Sequence, residues 1–212
     1  SRHTELPSIH SRRTARICAD SVGLLGVLVL VGWSFDLATL KSVWPGLVAM
    51  KANSAVGFVL AGLSVRLWVA DPARRWAPTA SQVLASAVAL LGLVTLVQEL
   101  TGIRFGIDEL LFSDPAGWIG ATPPGRMAPT TAVAFGAVGL ALLLLQRSRT
   151  FRLGEGLAVA AGLIGLMGVI GYAYQARELY GLATYYIPMA LHTAVGFVIL
   201  SPGVLLTRPD RG

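Results

Sequence analysis

The feature that most constrains this chain is the length of its uncharged runs. No Asp, Glu, Lys or Arg occurs from Ala77 to Gln98, from Met127 to Gln146, from Gly156 to Gln175 or from Leu179 to Thr207. A helix needs roughly 20 apolar residues to cross about 30 Å of hydrocarbon, and each run meets that length. Two further segments complete a set of six. One runs from about Cys18 to Leu37, with Asp20 and Asp36 at its ends. The other runs from about Val48 to Ala70, where Lys51 and Arg66 flank the uncharged stretch Ala52 to Val65. Those two long side chains are expected to snorkel to the interface. Lipid cannot satisfy open backbone groups, and the runs are too long and too uniformly apolar for barrel strands, so helices are the expected form. Only 13% of the chain is charged, against about 25% in a soluble domain. A water-soluble enzyme with one buried core is excluded on that ground, as is a disordered chain. One cysteine, Cys18, excludes a disulfide scaffold.

The net charge of +6 is a matter of placement. Twelve of the 17 Lys and Arg residues fall in the N-terminal tail, the second and fourth connections and the C-terminal tail, starting with Arg2, Arg12, Arg13 and Arg16. The remaining five, Lys41, Lys51, Arg104, Arg126 and Arg177, fall on the other side. The bias puts both termini in the cytoplasm, and the basic charge serves topology and attraction to anionic lipid rather than nucleic acid. The fold expected is all-α: a polytopic membrane protein of six transmembrane helices in three repeated hairpins. No cleavable signal peptide is visible.

The hairpins follow from a repeat in the even spans. Met50-Lys51-Ala52-Asn53-Ser54-Ala55-Val56-Gly57-Phe58 returns as Met127-Ala128-Pro129-Thr130-Thr131-Ala132-Val133-Ala134-Phe135 and as Met189-Ala190-Leu191-His192-Thr193-Ala194-Val195-Gly196-Phe197. Four residues past each Phe stands Gly62, Gly139 or Ser201. In the odd spans Gly26, Gly92 and Gly165 align loosely. Span one ends in Trp33, span three in Gln98-Glu99 and span five in Tyr172 and Tyr174. The organisation expected is a basic tail over 1–17, a membrane domain over 18–207 with repeats at about 18–70, 77–146 and 156–207, and a linker beginning at 208–212. Copies of this kind arrange around an axis along the membrane normal. About such an axis Asn53, Thr130 and His192 would converge near the outer surface. Ser54, Thr131 and Thr193 would cap the first turn or bond across helices, and small residues would let backbones approach.

Two residues invite a sharper reading. His192 is the one histidine within a span, so it is either a ligand contact, an axial ligand to haem or copper, or a packing residue bonded to a neighbour. A lone histidine makes no metal site. Glu99, at the end of a long apolar run, is either part of a binding site or an interfacial carboxylate paired with Arg104 or Arg126. Asp108, Glu109 and Arg126 could form loop ion pairs worth about 0–1 kcal/mol each if exposed. Trp44, Trp118, Tyr185 and Tyr186 read as interfacial anchors. Pro202 interrupts the last span and is a candidate kink. No motif for catalysis is present.

The stretch Gln98-Glu99-Leu100-Thr101-Gly102-Ile103, Gly106-Ile107-Asp108-Glu109-Leu110-Leu111-Phe112 and Pro124-Gly125-Arg126-Met127-Ala128-Pro129-Thr130-Thr131-Ala132, with Leu179-Tyr180-Gly181-Leu182 and Met189-Ala190-Leu191-His192-Thr193-Ala194, resembles a known module. It is similar to the N-terminal six-helix membrane-associated sensory module of bacterial sensor histidine kinases and diguanylate cyclases. The resemblance covers spans three to six, and spans one and two through the repeat. It implies a non-catalytic input domain in the bacterial inner membrane, working as a homodimer in signal transduction ahead of a cytoplasmic output domain. A small or lipophilic ligand near the periplasmic leaflet would meet Asn53, Ser54, Thr130, Thr131, His192 and Thr193, with Glu99 and Arg126 nearby. The cofactor is unknown; haem, copper and quinone stay open. The alternatives are an accessory membrane subunit of a larger complex and a small transporter.

Overall fold

A computed structural model describes residues 5–44, 46–70, 74–114, 122–147, 149–176 and 188–207. The expected linker at 208–212, and Trp118, Tyr180, Tyr185 and Tyr186, lie outside the described residues. Among the described residues there are seven helices and no strand: α1 (Glu5–Ser34), α2 (Ala38–Ser42), α3 (Ala52–Trp68), α4 (Ala77–Thr101), α5 (Pro129–Leu145), α6 (Phe151–Ala173) and α7 (Leu191–Leu205). The seventh, relative to the six expected, is the single-turn α2. α1 also reaches back to Glu5, through most of the basic tail. Three helices are long and apolar enough to cross a membrane: His10–Ser34 within α1, Ala77–Thr101 and Phe151–Ala173.

The other three, α3, α5 and α7, are shorter, at 17, 17 and 15 residues. At 1.5 Å per residue they reach only about 25 Å. Their first residues are extended rather than helical. Lys51, Ala128 and Ala190 precede the three helices with nearly the same backbone angles, φ −71 ψ 150, φ −57 ψ 145 and φ −67 ψ 148. No side chain caps any of the three starts, so Ser54, Thr131 and Thr193 do not serve as caps.

The short helices form an inner triplet, each touching the other two, and the long ones lie outside. Contacts close a ring in the order α1, α3, α4, α5, α6, α7 and back to α1. The repeat explains the centre. Phe58, Phe135 and Phe197 are each 0% exposed, and their ring centroids stand 5.0, 5.0 and 4.8 Å apart. The rings are tilted at 52–64°, edges toward faces, the arrangement aromatic quadrupoles favour.

Small residues bring the outer helices against the inner ones at equivalent points. A Cβ on Gly26 would lie 2.5 Å from the Ala55 carbonyl oxygen, one on Gly92 2.5 Å from that of Ala132, and one on Gly165 2.7 Å from that of Ala194. Those acceptors are one repeat position. Two turns on, Gly62 packs on Gly23, Gly139 on Ala89 and Ser201 on Gly162, and the Ser201 hydroxyl donates to the Ala158 carbonyl at 2.8 Å. Without a hydrophobic force between helices in lipid, such close backbone contact is what holds them together. The outward faces of the long helices carry Leu24, Leu28, Val83, Leu90, Leu163 and Leu166, all exposed. An apolar belt of this kind suits lipid and would be a liability in water.

Phe135→Ala removes one member of the central triangle and should cost about 3–5 kcal/mol, measured by reversible unfolding in detergent–SDS mixtures. Gly92→Leu should cost at least as much, because the obstructing atoms are backbone and cannot swing aside.

Candidate functional site

The chemistry gathers at the rim of the bundle where α3, α5 and α7 begin. The extended segments there have backbone groups that no helix satisfies, and side chains of the long helices supply partners. Trp33 Nε1 donates to the Met50 carbonyl at 2.9 Å, and Tyr172 Oη donates to the Met189 carbonyl at 2.8 Å. Met50, Met127 and Met189 are themselves buried. Trp33 and Tyr172 each lie seven residues past the aligned glycine of their helix, Gly26 and Gly165. They are internal clamps rather than interfacial anchors. Seven residues past Gly92 the second hairpin has Glu99.

An acid cannot donate as the two aromatics do, so the second hairpin is built differently at this point. Glu99 Oε2 accepts from Arg126 Nη1 at 3.3 Å, and Arg126 Nε donates to Asp108 Oδ2 at 3.0 Å. The Arg126 side chain is only 4% exposed, so these are not the surface pairs the sequence suggests. Gln98, fully buried, donates from Nε2 to Asp108 Oδ1 at 3.3 Å and accepts from the Phe105 amide at 2.7 Å. The segment after α4 is thereby folded back over the rim. Gly125 makes its return possible: it has φ +72, and a Cβ there would sit 2.4 Å from the Asp108 carbonyl oxygen.

The same segment is fastened to the first hairpin. Lys51 Nζ donates to Asp114, and both side chains are buried. This corrects the expected snorkelling of Lys51: a carboxylate is brought to it by the loop. Asp114 also accepts from the Gly125 amide at 3.0 Å, while its own amide donates to Glu109 Oε1 at 2.7 Å. Phe112 packs on Trp33 at 6.0 Å between centroids. Outside the spans, Lys41 lies 2.5 Å from Asp36, and its ammonium holds that exposed carboxyl below the usual range.

Under this strap a cleft of about 390 Å³ lies between α3 and α4. Val56, Leu60, Ala87, Leu90, Leu91 and Val94 form its walls, and Ile107, Leu110 and Leu111 of the strap form its roof. Asn53 and Asp108 are the polar residues in its lining. Asn53 Oδ1 accepts from the Ser54 amide at 2.8 Å, while Nδ2 is buried with no partner.

The positions of the other expected site residues follow from helix geometry. At about 100° per residue, position 54 lies about 40° from Phe58 and position 53 about 140° from it. Ser54, Thr131 and Thr193, each 2% exposed, therefore share the faces that carry the phenylalanines. At about 140° from the phenylalanines, positions 53, 130 and 192 lie away from the axis, and Asn53 and His192 turn toward a neighbouring hairpin. Asn53 faces α4, and His192 lies beside the main chain of Lys41 in the first hairpin. Two of the three retain a buried polar atom without a partner, Asn53 Nδ2 and Thr130 Oγ1, while the His192 ring has the Lys41 main chain beside it. Arg126 Nη2 is a third such group at the rim. Among the described residues no cluster of His, Cys, Asp or Glu could hold a metal ion.

Lys51, Asp114, Gln98 and Asp108 were not expected as site residues. The offset from the aligned glycines was the available signal, since it sets Glu99 where its counterparts are aromatic. Lys51→Met should destabilise by about 3–5 kcal/mol, because it strands a buried carboxylate. Adding Asp114→Leu should recover most of that loss, and a double-mutant unfolding cycle measures both.

No family model matches the chain, and no curated protein or solved structure matches it either.

Proposed function

We propose that this chain is a membrane-embedded sensory input domain of a bacterial signal-transduction protein, with six helices spanning the inner membrane and both ends in the cytoplasm. The rim then faces the periplasmic leaflet, and the clefts between hairpins receive a small lipophilic ligand. The lysine and arginine bias supports the orientation. The resemblance to sensory modules of histidine kinases and diguanylate cyclases supports the class, and with it a homodimer and a cytoplasmic output domain.

The observation that carries the reading is the state of one repeat position. Asn53, Thr130 and His192 are three different polar residues at equivalent points, and two of them, Asn53 through Nδ2 and Thr130 through Oγ1, leave a buried polar atom unsatisfied. Buried groups are normally hydrogen-bonded, and leaving one unpaired costs about 1–3 kcal/mol. A structural role would select pairs that satisfy one another, as Ser64 and Ser81 do between α3 and α4. A guest that supplies the missing partners recovers that cost only in the conformation that admits it. This is differential binding of two states, which is what a sensor needs.

The output route is α7. Its rim end carries His192, and its other end packs Gly203 against Cys18 of α1 and holds Ala158 of α6 through Ser201. A guest in a cleft changes how α7 sits between α1 and α6, and a coupling of about 1–3 kcal/mol is enough to bias an output.

The test reads signalling from the native reading frame in cells with Asn53→Leu, Thr130→Val and His192→Leu made singly. At least one should shift output about fivefold or more while membrane insertion is unchanged. No shift in any of the three removes the reading. Reporter fusions after Thr207 and within 104–107 should report opposite sides of the membrane.

A further inference from the structure

Resting on that sensory reading, we infer that the cleft between α3 and α4 is a quinone site, in which Asn53 donates a hydrogen bond to a ring carbonyl and the prenyl tail runs along the groove toward lipid. At about 390 Å³ the cleft falls within the roughly 300–1,000 Å³ range of small-molecule sites.

Its polar chemistry is narrow. Asp108 is already engaged, by Arg126 and Gln98. Lys51 is paired with Asp114, and the two nearest paired cations face carboxylates rather than the cleft. The unspent group in the lining is the Asn53 amide, 6% exposed, whose oxygen is tied to the Ser54 amide so that its nitrogen is left to donate. A ligand matched to it offers an acceptor and carries no charge.

The shape is narrow as well. Asn53 lies at the rim end, beneath Ile107 and Leu110, while Leu60 and Ala87 lie deeper along the two helices. A glycerolipid ester has a headgroup beyond its carbonyl, and the apolar roof leaves that headgroup no polar surroundings. A fatty acid ends bluntly but brings a negative charge, the cleft's lining holds no cation, and Arg126 beside it already faces the carboxylates of Glu99 and Asp108. A quinone ends in an uncharged ring with carbonyls and continues as an apolar chain. Exposed Leu90, at the groove's edge, is where that chain would pass into the bilayer.

The experiment uses the 212-residue chain in phosphatidylcholine nanodiscs. Saturable quenching of tryptophan fluorescence by decylubiquinone is the readout. Asn53→Leu should weaken binding about tenfold, the loss of one hydrogen bond. Leu91→Trp, which fills the groove without touching the amide, should abolish saturation. Leu163→Ala, on the exposed face of α6 and outside the cleft, should leave the affinity unchanged. Equal affinity in Asn53→Leu and Leu91→Trp overturns the site. Displacement by 1-oleoylglycerol or by oleate at matching concentration overturns the quinone assignment in favour of an acyl lipid. Altered cellular output in Asn53→Leu with no saturable quinone binding overturns this ligand class and leaves the sensory reading standing. Quinone affinity lost in Asn53→Leu, with cellular output unchanged in Asn53→Leu, Thr130→Val and His192→Leu alike, supports the site and overturns the sensory reading.

Discussion

Three helices can share an axis only if the space between them is filled and nothing holds their backbones apart. Phe58, Phe135 and Phe197 meet the first condition, with centroids about 5 Å apart at complete burial. Gly57 and Gly196 meet the second: a Cβ on Gly57 would be 2.7 Å from the Phe135 ring, and one on Gly196 2.5 Å from that of Phe58. The residue before Phe58 and the residue before Phe197 thus yield space to the ring of another hairpin. The contacts run around the axis in one sense, which is what rotational copies of one hairpin produce. Everything at the rim is registered by this centre, because α3, α5 and α7 all begin at the same distance above it.

The shortness of the inner helices then acquires a purpose. Had they run the full length of the outer ones, the rim would be closed by helical backbone with all its groups paired. Instead the chain enters each inner helix extended, and its carbonyls need donors from elsewhere. Trp33 and Tyr172 provide them in two hairpins. Irregular backbone at membrane depth persists where protein buries and satisfies it, so these two clamps are a condition of the architecture.

The sequence made the centre legible and left the rim mostly hidden. A nine-residue pattern repeated three times already carries the phenylalanines, the small residues and the grouping into hairpins, because packing about an axis repeats whenever the residues do. The side toward which Asn53, Thr130 and His192 point depends on a rotation of about 140° from the phenylalanines, which the spacing contains but which the likeness of the three segments does not display. The buried pair Lys51 and Asp114 was illegible for another reason. The two residues are 63 positions apart, and Lys51 beside an apolar run looks the same whether its ammonium reaches water or a carboxylate.

Glu99 marks where symmetry ends. Replacing an aromatic donor by an acid at the one equivalent position requires a cation, and Arg126 supplies it from the residue before Met127. Arg126 then requires Asp108 to balance its remaining face, and Asp108 draws the strap over α3 and α4. A single departure from the repeat therefore accounts for why the cleft between α3 and α4 acquires a roof. Pseudo-symmetric copies supply the scaffold; specificity belongs to the copy whose rim is no longer like the others.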